Sequence, residues 1–254
     1  MMQSLAGTVS LVTGASSGIG EATALALAED GAAVALVARR LDRLEGLAER
    51  IEAAGGRPLV IEADVTDQEQ AIAAVETTLT ELGRLDTLVN NAGVMLLGPI
   101  VGAPVEEWQR MIHLNLLGLL YCTHAALPHL LSSAESQPRE VADVVNVSSV
   151  AGRFARPGTG VYSATKFAVG AFSESLRQEV AGRHVRVTII EPGATATELA
   201  FHNRPEVLED MAKNFAGIAL MTAGDIANSI RYAVTQPRHV AVNEILIRPT
   251  EQER

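Results

Sequence analysis

The chain is poor in cysteine and in aromatic residues: Cys122 is its only cysteine, and Phe, Trp and Tyr make up 4% of 254 residues. A single cysteine excludes an internal disulfide, so the sequence predicts a reducing compartment, the cytoplasm. Cys122 lies in an apolar run and is interpreted as a small buried side chain rather than a reactive thiol. Few aromatic residues beside abundant Ala, Val and Leu are typical of a parallel sheet covered by helices on both faces.

Basic charge is also scarce, with 20 Lys and Arg against 30 Asp and Glu and a net charge of −10. No basic face is evident, so nucleic acid is excluded as an expected partner. No basic cluster with a long apolar core opens the chain, so we predict no signal peptide. Residues 111–131 resemble a membrane span in length, but they contain Asn115 and Pro128 and are predicted to form a buried helix. Because this stretch is predicted to be buried, we predict no membrane partner. The six histidines are scattered, so we predict no metal site.

Strand and helix patterns alternate along the whole chain, which predicts a right-handed, doubly wound α/β sheet. We find no linker, so residues 1–254 are predicted to form a single domain. The segment 132–139 is polar and is predicted to form a surface loop. The predicted strands are residues 9–12, 33–37, 58–62, 87–90, 144–147, 186–191 and 244–247; the clearest helical patterns cover residues 41–54, 67–82, 105–131 and 162–181.

A glycine-rich segment follows the first strand and leads into an Ala-rich helix. In this context backbone N–H groups and a helix N-terminus hold a pyrophosphate. Gly14 would allow a tight turn, Gly18 would allow close approach of the phosphates, and Gly20 would let the helix pack on the strand. An ordinary strand-to-helix loop is the alternative.

Tyr162 and Lys166 lie one helical turn apart, so both side chains share one face of the predicted helix. A phenol titrates near about 10, and a nearby ammonium lowers its pKa towards acid/base work. Ser149 follows a strand end, where ligands bind in open parallel sheets. Each feature has an ordinary alternative, namely a surface pair for Tyr162 and Lys166 and a helix cap or turn for Ser149.

Together these residues resemble the short-chain dehydrogenase/reductase family over essentially the whole chain. Residues 13–20 (TGASSGIG) resemble its cofactor loop, residues 90–93 (NNAG) its strand end, and residues 192–197 its nicotinamide-flanking segment. Its catalytic tetrad falls on Asn115, Ser149, Tyr162 and Lys166. The resemblance implies a Rossmann fold with a seven-stranded parallel sheet, a cofactor half at about residues 1–150 and a catalytic and lid half at about 151–254.

The resemblance also implies the role of each tetrad residue. Tyr162 would be the acid/base, Lys166 would lower its pKa and hold the nicotinamide ribose, and Ser149 would position the substrate oxygen. Asn115 would hold a water beside Lys166, unless its amide is satisfied by local helix carbonyls. The implied cofactor-binding residues are Gly14, Ser16, Ser17, Gly18, Ile19, Gly20, Arg39, Arg40, Asp64, Val65, Asn91, Ala92, Gly93, Tyr162, Lys166, Pro192, Gly193, Thr195 and Thr197.

Arg39 and Arg40 follow the second strand, where a fold selecting NAD places an acidic residue. Arginine suits a 2′-phosphate, so the sequence predicts NADP(H), and Arg39→Asp is expected to shift preference towards NAD(H). A solvated arginine pair is the alternative. Asp64 and Val65 resemble the family's adenine contact, although Asp64 has a second interpretation as the turn before the next helix.

The substrate is predicted less closely than the cofactor. Residues 92–99, 191–199 and 243–250 resemble the branch that contains clavulanic acid dehydrogenase and NADP-dependent 3-hydroxy acid dehydrogenases, which suggests reduction of an aldehyde or ketone. Residues 197–220 resemble a mobile lid whose mixed polarity fits a small or medium carbonyl or alcohol, and Arg153 and Arg156 are candidates to meet an anionic group. The residues considered as lid contacts are Glu198, Phe201, His202 and Met211.

The resemblance implies a homotetramer or homodimer, assembled through residues 105–131, 162–181 and the last strand. Three other functions stay open at this point. A non-catalytic dinucleotide sensor would have little use for all four tetrad residues. A dehydratase or epimerase of the extended branch would have a different glycine spacing. An NAD-dependent alcohol dehydrogenase would differ only in its cofactor.

Overall fold

Seven parallel strands form the central sheet in the computed structural model of the protein, which describes residues 4–253. The strands are β1 (Val9–Thr13), β2 (Ala33–Ala38), β3 (Arg57–Glu62), β4 (Thr87–Asn90), β5 (Ala142–Val147), β6 (Val185–Pro192) and, after the short pair β7 (Thr195–Ala196) and β8 (Met221–Thr222), β9 (Glu244–Ile247). Their order across the sheet is β3-β2-β1-β4-β5-β6-β9, and β7 and β8 form a separate parallel pair. The predicted α/β Rossmann fold with seven parallel strands is therefore confirmed.

Helices cover both faces of this sheet. They are α1 (Gly18–Glu29), α2 (Leu41–Ala53), α3 (Gln68–Leu82), α4 (Val105–Ile112), α5 (Leu119–Ala134), α6 (Gly160–Val180), α7 (Pro205–Asn214) and α8 (Ala223–Val234). Buried residues of α3, α5 and α6 form one apolar core with the sheet, and those of α1, α2 and α8 form a second core on the opposite face.

Alternation along each strand supplies both cores. Successive β1 residues Leu11 and Val12 are fully buried in different cores, because neighbouring side chains on a strand point to opposite faces. Burying one such side chain stabilises the fold by roughly 1.5–3 kcal/mol. Strands that are buried on both faces lose the polar half of the alternating pattern, which explains the near-continuous apolar runs in the sequence.

The predicted functional residues lie where the strand order reverses. β1 pairs with β2 on one side and with β4 on the other, so the connections leaving β1 and β4 run to opposite faces. A crevice opens at the carboxyl ends of these two strands, and ligands of doubly wound sheets bind in such a crevice. The topology therefore places the glycine-rich segment and residues 90–93 side by side.

Several boundaries differ from the predicted ones. The predicted strands 87–90 and 244–247 have the observed bounds, whereas the other five extend by one or two residues at one or both ends. The predicted loop at 132–139 begins too early, because α5 continues to Ala134, whose side chain is buried. The predicted helix 105–131 is interrupted by a π-helical segment, His113–Gly118. α8 begins with a capping box of Thr222 and Asp225 that the sequence reading overlooked.

The stretch Val105–Ala134 is long and apolar enough, by length and composition, to cross a membrane. Its buried residues Cys122, Ala126 and Leu130 pack in the core with the strands of the sheet. The helix predicted for residues 111–131 therefore packs one face in the core, but only 39% of its most apolar 18-residue window is buried.

Candidate active site

The glycine-rich turn is packed so tightly that two of its positions admit no side chain. Gly14 has φ +67°, and a Cβ placed there would lie 2.9 Å from the Cα of Ala92. A Cβ on Gly20 would lie 2.3 Å from the Gly14 carbonyl oxygen. These contacts fix the start of α1 against the ends of β1 and β4.

Thr13, which the sequence analysis treated only as part of the motif, fastens this turn to the end of β4. Its Oγ1 accepts hydrogen bonds from the backbone N–H groups of Asn91 at 3.0 Å and Ala92 at 3.1 Å. The Asn91 side-chain amide donates back to the Thr13 carbonyl at 3.0 Å. The signal available in the sequence was a β-branched hydroxyl residue at the end of a buried strand.

The start of α1 fits the phosphates of a dinucleotide. Ser17 is the N-cap of α1, and within the described chain its side chain makes no capping hydrogen bond. The first N–H groups of the helix have no cap from that side chain, and Gly18 and Ile19 line the cleft, so the positive end of the helix dipole is available to an anion there.

α6 brings the predicted tyrosine and lysine together. Tyr162 and Lys166 are each only 6% exposed, and the Lys166 Nζ lies 5.8 Å from the centroid of the Tyr162 ring. The Lys166 ammonium donates to the Val147 carbonyl at 2.9 Å, which ties α6 to the end of β5. Ser149 follows that strand, and its hydroxyl lies close enough to the Tyr162 phenol to lower the pKa of Tyr162. Three of the four predicted catalytic side chains therefore meet at one point.

The pKa values of this group correct one prediction. Burial raises the pKa of Tyr162 to about 12, against the lowering effect of the Ser149 hydrogen bond. Burial lowers the pKa of Lys166 to about 8. The phenol pKa therefore lies above its ordinary value, contrary to the expectation from Lys166, because burial dominates and no lowering by the Lys166 ammonium offsets it. Tyr162 is consequently protonated at neutral pH, the form that acts as an acid.

Asn115 lies in the π-helical segment and reaches across to other parts of the fold. Its Oδ1 accepts from the Val94 N–H at 2.7 Å, and its Nδ2 donates to the Val94 carbonyl at 2.9 Å and to Thr165 Oγ1 at 3.2 Å. The alternative of local helix carbonyls is therefore wrong. A Cβ on Gly93 would lie 3.3 Å from Asn115 Oδ1 and 3.9 Å from Lys166 Nζ, so Gly93 separates the two side chains.

The two arginines after β2 have different surroundings. Arg40 lies on the glycine-rich turn, where its Nη2 donates to Ser16 Oγ at 3.0 Å and to Ser17 Oγ at 2.7 Å. Arg39 is 63% exposed in its side chain and lies 3.6 Å from Asp64. Arg40 is therefore the arginine whose guanidinium is fixed beside the turn.

Asp64 forms the turn before α3. Its Oδ1 accepts from the N–H of Thr66 at 3.0 Å and from its hydroxyl at 2.8 Å. The same residue also lines the cleft, together with Val65. Both interpretations of Asp64 are thus compatible with its position.

A cleft of about 1430 Å³ connects these features. It contains all the predicted cofactor and catalytic residues except Gly20 and Asn115, which lie behind its wall. Among residues 4–253, His, Cys, Asp and Glu side chains form no group of three that could hold a metal ion.

Arg153, a candidate to contact an anionic group of the substrate, does not line the cleft. Its Nε donates to both carboxylate oxygens of Glu191, at 2.8 and 2.7 Å, and its guanidinium also pairs with Glu244. It joins β6 to β9 and is absent from the cleft wall, whereas Arg156 lines the cleft and lies 5.1 Å from the ring centroid of Phe154.

Gln252 was overlooked in the sequence. Its Oε1 accepts from the Ala194 N–H at 2.8 Å, and a Cβ on Gly193 would lie 2.3 Å from the same oxygen. A side chain near the end of the chain therefore fixes the backbone of the segment after β6 through a hydrogen bond. Its polar, exposed sequence context carries no signal of this contact.

The sequence profile of the short chain dehydrogenase family matches residues 8–207. The chain belongs to this family. As a short-chain dehydrogenase it is an oxidoreductase, and members of the family bind a nicotinamide cofactor. The resemblance recognised in the glycine-rich turn and the tetrad is therefore confirmed at the level of the family.

Relatives and solved structures agree with this assignment. The chain is 44% identical, over 98% of its length, to a glycine betaine reductase of Emericella nidulans, and it spans only 19% of that protein. It is 38% identical to an uncharacterized oxidoreductase of Staphylococcus saprophyticus over 99% of both chains. A closed form of serine dehydrogenase complexed with NADP⁺ is 32% identical with a TM-score of 0.85, each chain being covered to 97%. A metagenomic short-chain oxidoreductase in complex with NADP is 30% identical with a TM-score of 0.81, over 97% and 99% of the two chains.

Proposed function

We propose that the protein is an NADP(H)-dependent oxidoreductase that transfers a hydride between nicotinamide and a small or medium carbonyl or alcohol. The observation that carries this proposal is the meeting of Tyr162, Ser149 and Lys166 at the wall of a cleft that also contains the glycine-rich turn. A dinucleotide sensor would need the turn but not this group.

Each side chain has a role in that reaction. The bound nicotinamide supplies the hydride in reduction and accepts it in oxidation. Tyr162, which is protonated at neutral pH, donates its proton to the carbonyl oxygen in reduction. Ser149 donates to the same oxygen and stabilises the charge that develops there. Lys166 would hold the ribose hydroxyls. Asn115 hydrogen-bonds to the backbone of Val94 and so fixes the loop that follows β4.

The preference for NADP(H) is supported by Arg40. Its guanidinium is held by Ser16 and Ser17 at the turn, where a 2′-phosphate would receive charge-assisted hydrogen bonds. Two of the similar solved structures contain NADP, which is a property of those proteins and agrees with the proposal.

Replacing Arg40 by Ala is expected to lower kcat/KM for NADPH by about 10- to 100-fold, the loss expected for one or two hydrogen bonds to a charged group. The value for NADH is expected to change by less than about threefold, because the 2′-hydroxyl carries no charge. Steady-state kinetics with both cofactors measure the difference. Arg39→Ala is the matched control, and it is expected to have the smaller effect because Arg39 is largely exposed. An unchanged NADPH value in Arg40→Ala would remove Arg40 from this role.

Substrate class is supported by the cleft wall, which is mixed in polarity around the lid. The decisive experiment is NADPH oxidation against a panel of aldehydes, ketones and 3-oxo acids, with NADH in parallel. The panel includes a trimethylammonium-substituted aldehyde, because one relative is named a glycine betaine reductase. Substrate-dependent oxidation with NADPH supports the proposal. Cofactor binding without turnover on any substrate would favour the sensor, and turnover with NADH alone would favour an NAD-dependent alcohol dehydrogenase.

We also propose that the protein acts in the cytoplasm, because a single cysteine suits a reducing compartment, and that it is a homodimer or homotetramer, as the family resemblance implies. Ile112 on α4 and Phe167 on α6 are exposed to 41% and 47%, on two of the helices expected to form such an interface. Their apolar surface supports association through these helices.

A further inference from the structure

Glu198 lies across the mouth of the cofactor cleft and pairs with the arginine beside the glycine-rich turn. Its Oε2 accepts from Arg40 Nη1 at 2.9 Å, and its Oε1 lies 3.9 Å from Arg43 Nη2. The pKa of Glu198 is lowered, chiefly by the hydrogen bond from Arg40, so the carboxylate is ionised at neutral pH. A carboxylate anion therefore lies where two arginines converge.

The remaining donors of Arg40 show what kind of site this is. Nε and Nη2 of its guanidinium donate to the Ser16 and Ser17 hydroxyls, and Nη1 donates to Glu198. Two serine hydroxyls and two guanidinium groups are the donors that bind a phosphate monoester. The Glu198 carboxylate carries one negative charge, whereas these donors suit a phosphate with two.

Glu198 also belongs to the predicted lid, residues 197–220. It begins the 3₁₀ segment Glu198–His202 directly after Thr197, whose side chain would lie 3.3 Å from a Cβ on Gly18. The ion pair between Arg40 and Glu198 thus joins the lid to the glycine-rich turn across 158 residues of sequence.

We propose that Glu198 is a specificity-determining residue that competes, as an internal anion, with the 2′-phosphate of NADP(H) for Arg40. The proposal rests on the proposed cofactor preference, because only a phosphorylated ribose brings a second anion to this place. Binding of NADP(H) exchanges one anion for another on Arg40 and releases Glu198, and with it the start of the lid, from the arginine. NAD(H) leaves the Arg40–Glu198 pair in place, so the pair reduces discrimination between the two cofactors.

The test is cofactor affinity, measured by isothermal titration calorimetry on the full chain. Glu198→Gln is expected to tighten binding of NADPH and of adenosine 2′,5′-bisphosphate by about fivefold, the scale of an exposed ion pair. Binding of NADH and of adenosine 5′-monophosphate is expected to change by less than about twofold, since neither carries a 2′-phosphate. Glu209→Gln, which removes one charge from the exposed surface of α7, is the matched control and should change none of the four affinities.

A second comparison separates competition for Arg40 from a general charge effect. In the Arg40→Ala background, Glu198→Gln is expected to give no gain for NADPH, because the competing pair no longer exists. Equal gains for NADPH and NADH, no gain for NADPH, or an equal gain from Glu209→Gln would each overturn the proposal. These affinities decide the role of Glu198 even if no carbonyl compound is reduced, a result that would overturn the proposed reaction alone.

Discussion

Tyr162→Phe is expected to lower kcat for carbonyl reduction by about 100- to 10,000-fold, the usual contribution of a positioned general acid. Phenylalanine retains the ring, which packs with Val94, Leu96 and Met111, and removes only the phenol hydroxyl. The loss should therefore fall on the chemical step. Initial rates of NADPH oxidation with the best substrate of the panel measure it.

The control for Tyr162→Phe is Tyr232→Phe, which removes a phenol hydroxyl from a side chain that is 57% exposed on α8. This variant should keep the wild-type kcat. In Tyr162→Phe the dissociation constant for NADPH should stay within about twofold, because the proposed partner of the lost hydroxyl is the substrate oxygen and not the phosphates. A Tyr162→Phe enzyme with the wild-type kcat would show that another group donates the proton.

The sequence predicted the parts of this site that depend on spacing. Tyr162 and Lys166 share a helix face because the helical repeat brings residues four apart together. Ser149 meets them because β5 ends beside the start of the next helix, and the carboxyl ends of parallel strands lie at one edge of the sheet. Such relations depend on the regular geometry of helix and sheet, so a linear pattern predicts them.

Other parts depend on what surrounds a side chain, which no spacing records. The raised pKa of Tyr162 comes from burial, and the Lys166 ammonium faces the Val147 carbonyl. Asn115 bonds to Val94 from within a π-helical segment that no residue pattern announced. Glu198 and Arg40 are far apart in sequence. Only the folded chain shows that an ion pair joins the lid to the arginine beside the glycine-rich turn.

The sequence pattern also did not predict a buried ion pair at the amino ends of the strands, opposite the cleft. Asp143 near the start of β5 and Arg186 near the start of β6 are 1% and 6% exposed in their side chains. Arg186 Nε and Nη2 donate to the two Asp143 oxygens at 2.7 and 3.0 Å, and Arg139 donates to the same carboxylate at 3.0 Å. Arg186 also donates to backbone carbonyls of the segment that follows α8, at residues 236, 237 and 240. The pair therefore fastens that segment to the sheet.

Asp143→Ala is expected to lower the free energy of unfolding by about 3–5 kcal/mol, because it leaves the Arg186 charge buried without its counter-ion. That is a large part of the roughly 5–15 kcal/mol by which a folded domain is stable. Urea unfolding followed by far-UV circular dichroism, at one fixed protein concentration, measures the change. Glu174→Ala removes the carboxylate of the exposed pair with Arg177 and should leave the unfolding midpoint unchanged.

Catalysis in the Asp143→Ala variant should survive below its unfolding transition. Asp143 lies six residues before Ser149, about 20 Å along an extended strand, so it is remote from the reacting atoms. A lost kcat at wild-type stability would mean that Asp143 acts on the active site. A loss of stability no larger than that of Glu174→Ala would mean that Arg186 is sufficiently stabilised by the carbonyls around it, and that the carboxylate contributes little to the fold.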